Sequence, residues 1–167
     1  MAVLTILHYP DERLKRVSAP VQVFDAELRR FVDDLLATLR AAPGCVGLAA
    51  PQVDDFRRVA IVDVSSRKNT PNHGCMILIN PQVLASDGSV VGREGCLSVP
   101  DYTGNVVRAE RIRLHARDID GGQCEYNCQG YEARAVLHEL DHLDGLLFLD
   151  RLVSRKHDLF ARKVYQK

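Results

Sequence analysis

The chain has 167 residues, of which 46% are hydrophobic and 26% charged, a composition typical of a folded globular protein rather than a disordered one. Its 22 basic and 22 acidic side chains cancel, so no overall field draws it to nucleic acid or to an anionic membrane. No apolar run approaches the ~18 residues of a membrane span, and the amino terminus lacks the pattern of a secretion signal. We therefore expect a single cytoplasmic domain over residues 1–167 that has neither DNA nor a membrane as a partner.

The first predicted element is a helix after Asp25, where apolar residues recur three and four positions apart as far as Leu39. Three β-like stretches follow, over Val59–Val64, Met76–Asn80 and Val106–Asp118. In the last stretch apolar and charged residues alternate, as in a strand with one face buried. This pattern predicts a sheet that packs on a helix.

The second half of the chain is predicted to hold a hairpin and two helices. The turn residues Asp120-Gly121-Gly122 precede a return strand over Gln123–Asn127. A helix is expected from about Gly130 to Asp144, because Gly145 would end it, and a third over about Ser154–Tyr165. Strands mixed with segregated helices predict an α+β fold rather than a doubly wound one.

The segment from His138 to His142 reads His-Glu-Leu-Asp-His and fits the H-E-x-x-H metal-binding pattern. On a helix, residues four apart share one face, so both imidazoles can reach one ion while Glu139 lies beside it. The alternative is a solvated helix face that carries these residues by chance. Leucines surround the segment, which favours a buried helix and hence a metal site.

A third metal ligand is needed, because catalytic sites use three protein ligands and a water. Phe148 stands where the longer metalloprotease motif has its third histidine, and no glutamate follows Glu139, so the common endopeptidase classes do not fit. Cys124 and Cys128 could complete a closed structural site, but in a strand their α-carbons would lie about 13 Å apart. Cys96, beside a glycine in a constrained segment, is a further candidate.

All five cysteines are expected to be reduced thiols, because their number is odd and no secretion signal precedes them. They stand at positions 45, 75, 96, 124 and 128. Reduced thiols can pack as small apolar groups, act as nucleophiles or bind metal. We expect Cys45 not to be a nucleophile, because no evident base lies near it in the sequence.

Three segments together resemble the signature motifs of the peptide deformylase family. They are Val46-Gly47-Leu48-Ala49-Ala50-Pro51-Gln52, Glu94-Gly95-Cys96-Leu97-Ser98 and His138-Glu139-Leu140-Asp141-His142. The resemblance extends over nearly the whole chain and implies mixed, mostly antiparallel sheets around a central metal-binding helix. It also implies a hydrolase that removes the formyl group from the N-terminal formyl-methionine of newly synthesised polypeptides and releases formate. Cys45 departs from the glycine usual in bacterial members, which would narrow the cleft there.

The resemblance assigns roles to single residues. The expected metal ligands are Cys96, His138 and His142. Ferrous iron is the metal expected in cells, with zinc, nickel or cobalt as replacements. Glu139 would move the proton from water to the leaving amine. The side chain of Gln52 and the backbone N–H of Leu97 would stabilise the oxyanion.

The resemblance also implies a substrate pocket and a structural ion pair. The residues expected around the substrate are Val46, Gly47, Gly95, Tyr131, Arg134 and Ala135. Arg134 would contribute its aliphatic stem, and the peptide would bind in extended form beside Val46 and Gly95. Glu94 and Arg108 are expected to form a buried pair behind this segment.

The C-terminal segment from Arg151 to Lys167 carries six basic residues against one acidic residue, Asp158. A solvated face of the predicted helix over about 151–167 would account for this charge. The functional alternative is an electrostatic contact with ribosomal RNA near the exit of nascent chains.

Overall fold

The protein is described by a computed structural model over residues 1–162. Two α-helices occur in this part of the chain, α1 (Ala26–Arg40) and α2 (Gly130–Leu143). The strands are β1 (Gly47–Ala49), β2 (Val59–Val62), β3 (Met76–Asp87), β4 (Val90–Cys96), β5 (Val99–Arg108), β6 (Arg111–Arg117), β7 (Gln123–Gln129) and β8 (Leu159–Ala161). Short 3-10 turns cover Glu12–Lys15, Ala50–Val53 and Phe148–Arg151. None of the helices described is long and apolar enough to cross a bilayer.

The strands form two antiparallel sheets. The larger has the order β1-β2-β3-β6-β7, and the smaller has the order β4-β5-β8. Successive residues of a strand point to opposite faces, so Leu78 and Ile79 of β3 enter two different apolar clusters. Leu78 belongs to the cluster that contains Val136 of α2, and Ile79 belongs to the cluster that contains Leu35 of α1. The two helices therefore cover opposite faces of the larger sheet, which confirms the predicted α+β class.

Two of the three predicted helices, α1 and α2, form with the ends that their capping residues favour. Asp25 accepts a hydrogen bond from the backbone N–H of Leu28 at 3.0 Å and so begins α1. Gly145 takes the left-handed conformation, φ +77°, directly after the cap of α2 at Asp144. The predicted hairpin also forms, since β6 and β7 pair in register on either side of a turn at Gly121.

The predicted strand over 106–118 is in fact two strands that belong to different sheets. β5 ends at Arg108 in the smaller sheet, and β6 begins at Arg111 in the larger one. Glu110, in the connection between them, donates its N–H to Asp87 and accepts from Gly130. Both halves have a β-type residue pattern, so the pattern alone does not reveal where the chain changes sheets.

The predicted C-terminal helix is wrong over the described residues. The 3-10 turn ends at Arg151, residues 155–157 form a turn, and β8 follows at 159–161 where the helix was expected. The edge of β5 offers unpaired backbone groups, and β8 pairs with them antiparallel, with Thr103 opposite Phe160. The rest of that prediction, residues 163–167, lies outside the described part of the chain.

Candidate metal centre and active site

Helix α2 brings two imidazoles together with a sulfur from the smaller sheet. His138 and His142 lie one turn apart on α2, with ring centroids 5.1 Å apart. The Sγ of Cys96 lies 3.3 Å from Nε2 of His142. One donor atom from each of the three residues lies within 4.8 Å of the other two. Cys124 and Cys128, the rival sulfur ligands, lie on β7 and do not join this group.

An irregularity at the end of β4 directs Cys96 toward the helix. The pairing of β4 with β5 shifts register between Glu94 and Cys96: one residue, Gly95, separates these two on β4, whereas four residues, 100–103, separate their partners Val99 and Gly104 on β5. Such an irregularity bends the paired strands and changes where the side chains beside it point. Cys96 then pairs with Val99 across a tight turn and is 8% exposed.

The carboxylate of Glu94 orients His138. Its Oε1 lies 2.8 Å from Nδ1 of His138, so Nε2 of that ring remains available to an ion. The expected pair with Arg108 is present, with Nε donating to Glu94 at 2.9 Å. The network is larger than expected, because Arg134 also donates to Glu94 at 2.7 Å. Burial alone would raise the pKa of Glu94, but hydrogen bonds from His138 and Arg108 outweigh burial and lower it.

A second carboxylate holds the other side of the network. Asp141, the fourth residue of the H-E-x-x-H segment, accepts from Arg108 at 2.6 Å. It also accepts from Arg151 at 2.6 Å. Arg108 is thus held between Glu94 and Asp141, which ties β5 to α2 behind the imidazoles.

The protonation of these donors suits a divalent ion. Burial lowers the pKa of His142 well below its ordinary value, so this ring is the neutral imidazole that metals require. Burial also lowers the pKa of His138, but contacts with Cys96 and Glu94 outweigh it and raise that pKa well above the ordinary value. A cation in this space would be held by the thiolate of Cys96 and the two imidazoles, with a fourth position open to water.

Glu139 faces the same space from the next position on α2. Burial raises the pKa of its carboxyl to about 7, and its Oε2 has no hydrogen-bond partner within residues 1–162. Its neighbour across the gap must be a glycine, since a Cβ on Gly47 would lie 2.6 Å from Oε1 of Glu139. A buried carboxyl with a free oxygen and a pKa near neutrality is suited to accept and return a proton.

The amide of Gln52 is fixed beside Cys96. Its Oε1 accepts from the backbone N–H of Ala49 at 2.9 Å, which orients the side chain. Its Nε2 donates to Oγ of Ser98 at 3.1 Å and lies 3.4 Å from Sγ of Cys96. The side chain is 1% exposed, so this amide is a rigid donor at the centre.

These groups line one cavity of about 390 Å³. Its wall includes Cys96, Leu97, His138, Glu139 and Gln52. All the residues predicted to surround the substrate also line it: Val46, Gly47, Gly95, Tyr131, Arg134 and Ala135. Arg134 differs in detail from the expectation, because its guanidinium also donates to the carbonyls of Val90 and Val106.

Sequence reasoning missed two cationic residues of the cavity wall, Arg93 and Arg162. The sequence predicts a helix at Arg162, with either a solvated face or a ribosomal contact, and no local pattern signals that β8 returns this residue to Gly95. Cys45, which was noticed as a departure, also lines the cavity. Burial raises the pKa of its thiol to about 11.

A second group of potential ligands lies at the other end of the helix. His73, Cys128 and Glu132 each offer a donor atom within 4.8 Å of the others. Nδ1 of His73 lies 2.6 Å from Glu132, and the backbone N–H of His73 donates to the same carboxylate at 2.7 Å. This contact fastens the loop before β3 to the first turn of α2.

An open thiolate–imidazole site beside a buried carboxyl, on an α+β fold, is that of a metal-dependent hydrolase. The family model described as polypeptide deformylase matches residues 3–158. The peptide deformylase of Chromobacterium violaceum is 44% identical over 167 residues, which are 100% of this chain and 97% of that protein. That of Thermodesulfovibrio yellowstonii is 39% identical over 167 residues, covering 100% of this chain and 99% of that one.

Solved structures agree with these relatives. A crystal structure of a peptide deformylase from Legionella pneumophila superposes with a TM-score of 0.85 at 38% identity, covering 93% of this chain and 89% of that one. A crystal structure of a peptide deformylase from Thermotoga maritima superposes with a TM-score of 0.85 at 34% identity. The match covers 92% of this chain and 100% of that one. The chain belongs to the polypeptide deformylase family. It is a metal-dependent hydrolase that removes the N-formyl group from nascent peptides, as the resemblance of the three motifs implied.

Proposed function

We propose that Cys96, His138 and His142 hold one divalent metal ion and that Glu139 is the proton-transfer group of deformylation. The observation that carries this proposal is the convergence of the three donor atoms within 4.8 Å beside the buried carboxyl. When bound, the ion supplies Lewis acidity that makes water nucleophilic at neutral pH. Ferrous iron is the proposed native metal, with zinc, nickel or cobalt as replacements, since a thiolate with two imidazoles suits all four.

Glu139 is proposed to take the proton from the attacking water and to deliver it to the amine as the C–N bond breaks. Its pKa of about 7 in the absence of metal supports both roles, since a group with a pKa near the working pH can accept and return a proton. The free Oε2 supports a direct approach by water.

Gln52 and the backbone N–H of Leu97 are proposed to donate hydrogen bonds to the former formyl oxygen as it becomes negative. The fixed position of Gln52 supports this role, because a donor that needs no reorientation stabilises a developing charge most effectively. The small residues Gly47 and Gly95 leave room for the formyl group and the peptide backbone. Val46, Tyr131, Ala135 and the stem of Arg134 are proposed to enclose the methionine side chain.

The test is incubation of the metal-loaded protein with a formyl-Met peptide under anaerobic conditions, followed by mass measurement for loss of the formyl group. Cys96→Ala should lose both metal and hydrolysis, whereas Glu139→Ala should keep the metal and lose hydrolysis. Cys124→Ala is the matched control and should change neither. Loss of metal in Cys124→Ala, with retention in Cys96→Ala, would instead support the structural Cys2His2 site.

We also propose that the protein works in the cytoplasm and contacts the ribosome through its basic C-terminal segment. Arg155 and Lys156 are exposed, whereas Arg151 is held by Asp141 and Arg162 lines the cavity. Reversal of both exposed charges, Arg155→Glu with Lys156→Glu, should weaken co-sedimentation with ribosomes at low salt and spare hydrolysis of a short peptide. Unchanged sedimentation would contradict the contact.

A further inference from the structure

The last described residue, Arg162, lies at the mouth of the cavity. Its backbone N–H donates to the carbonyl of Asp101 at 2.8 Å, directly after β8 pairs with β5. The preceding Phe160 packs under the guanidinium of Arg93, 3.7 Å from the ring centroid. A Cβ on Gly95 would lie 2.9 Å from Nη2 of Arg162. The strand thus holds this guanidinium against the backbone that leads into Cys96.

The charges of the cavity wall are not balanced at this mouth. Glu94 is fully paired by Arg108 and Arg134, and Glu139 is buried beside the metal ligands. Arg93 donates only to neutral oxygens, those of Asn105 at 3.1 Å and Thr103 at 3.3 Å.

Among residues 1–162, the guanidinium of Arg162 has no closer hydrogen-bond partner than the carbonyl of Val99, at 3.5 Å. Within residues 1–162, neither Arg162 nor Arg93 has a carboxylate oxygen within 4.0 Å. The mouth therefore presents two guanidinium groups that no acidic side chain of the described chain neutralises.

We propose that Arg162, together with Arg93, forms an anion subsite that selects formylated peptides with Asp or Glu shortly after the methionine. The inference rests on the proposed function, in which an extended peptide lies along Gly95 with its formyl group toward the metal ligands. Side chains that follow the methionine then leave the cavity past these two residues. A guanidinium binds a carboxylate through two parallel hydrogen bonds, which a lysine or glutamine side chain on the peptide cannot accept in the same way.

The test compares kcat/KM for three matched formyl-Met peptides that carry Glu, Gln or Lys after the methionine, with the variable residue at the second or the third position. At one of these two peptide positions, the kcat/KM of the wild-type protein at low salt should be about two- to fivefold higher for the Glu peptide than for the Gln peptide. This is the size expected for a partly exposed ion pair. Lys should be the poorest substrate. The preference should shrink as salt is added.

Variants separate this subsite from general peptide binding. Arg162→Ala should bring the Glu:Gln ratio close to one, Arg162→Lys should restore part of it, and Arg162→Glu should favour Lys. Lys156→Ala, an exposed charge outside the cavity, should leave the ratio as it is in the wild type. An equal fall for all three peptides in Arg162→Ala, or no wild-type preference, would overturn the proposal. Absence of hydrolysis of the Gln peptide by the wild-type protein would instead count against the proposed function.

Discussion

Glu94 both stabilises the fold, through its buried ion pairs, and orients a proposed metal ligand. The variant Glu94→Gln tests both roles. The carboxylate is 5% exposed and accepts hydrogen bonds from Arg108, Arg134 and His138 at 2.7–3.0 Å. Glutamine keeps the shape but removes the negative charge, so the guanidinium of Arg134 is left buried without a counter-charge. Arg108 still has Asp141.

Breaking a buried ion pair from one side costs about 3–5 kcal/mol. For a chain of this size each kcal/mol lowers Tm by about 2–4 °C, so Glu94→Gln should lower Tm by about 6–20 °C. His138 also loses the group that orients its ring, which should weaken metal affinity by about 10–100-fold. Thermal unfolding of the metal-free protein measures the first effect, and competition with a zinc chelator measures the second.

The matched control is Asp87→Asn, which removes a carboxylate from an exposed pair with Arg111. This change should leave Tm and metal affinity close to those of the wild type, since exposed pairs contribute little. If Glu94→Gln behaved like the control in both assays, the buried network would stabilise neither the fold nor the metal site.

Three further changes address single groups. Gln52→Ala should lower kcat by about 10²–10³ with little change in KM, as expected for loss of an oxyanion donor, and a rise in KM alone would contradict that role. Cys45 should react with iodoacetamide at neutral pH more slowly than the exposed Cys75, because burial raises its thiol pKa to about 11. Peptide mapping measures the extent of alkylation at each cysteine over time. Faster alkylation of Cys45 than of Cys75 would indicate an activated nucleophile. His73→Ala should lower the free energy of unfolding in urea by about 1–3 kcal/mol, since buried Glu132 loses a hydrogen bond. Unchanged stability would show that the contact between His73 and Glu132 does not stabilise the fold.

Features of the fold that depend on local chemistry could be predicted from the sequence. Asp25 begins α1 because its side chain caps the first turn, and Gly145 ends α2 because it adopts a positive φ. The spacing of His138 and His142 places both on one helix face without any tertiary information. Each of these features depends on residues only a few positions apart.

Features that depend on distant partners were missed or seen in part. The segment over Leu159–Ala161 becomes a strand because the edge of β5 is open, and this edge lies more than fifty residues earlier in the chain. The role of Glu94 was predicted for one partner, whereas the structure adds Arg134 and His138 from α2. Charge composition likewise gave no sign that Arg162 returns to the cavity, because position in a fold is not a property of composition.

X-ray absorption at the zinc edge of the zinc-loaded protein tests the central claim most directly. We predict one sulfur at about 2.3 Å and two imidazole nitrogens at about 2.0–2.1 Å, with an oxygen of water as the fourth neighbour. Two or more sulfurs around the ion, or four protein ligands that leave no place for water, would contradict the assignment of Cys96, His138 and His142 as an open catalytic site.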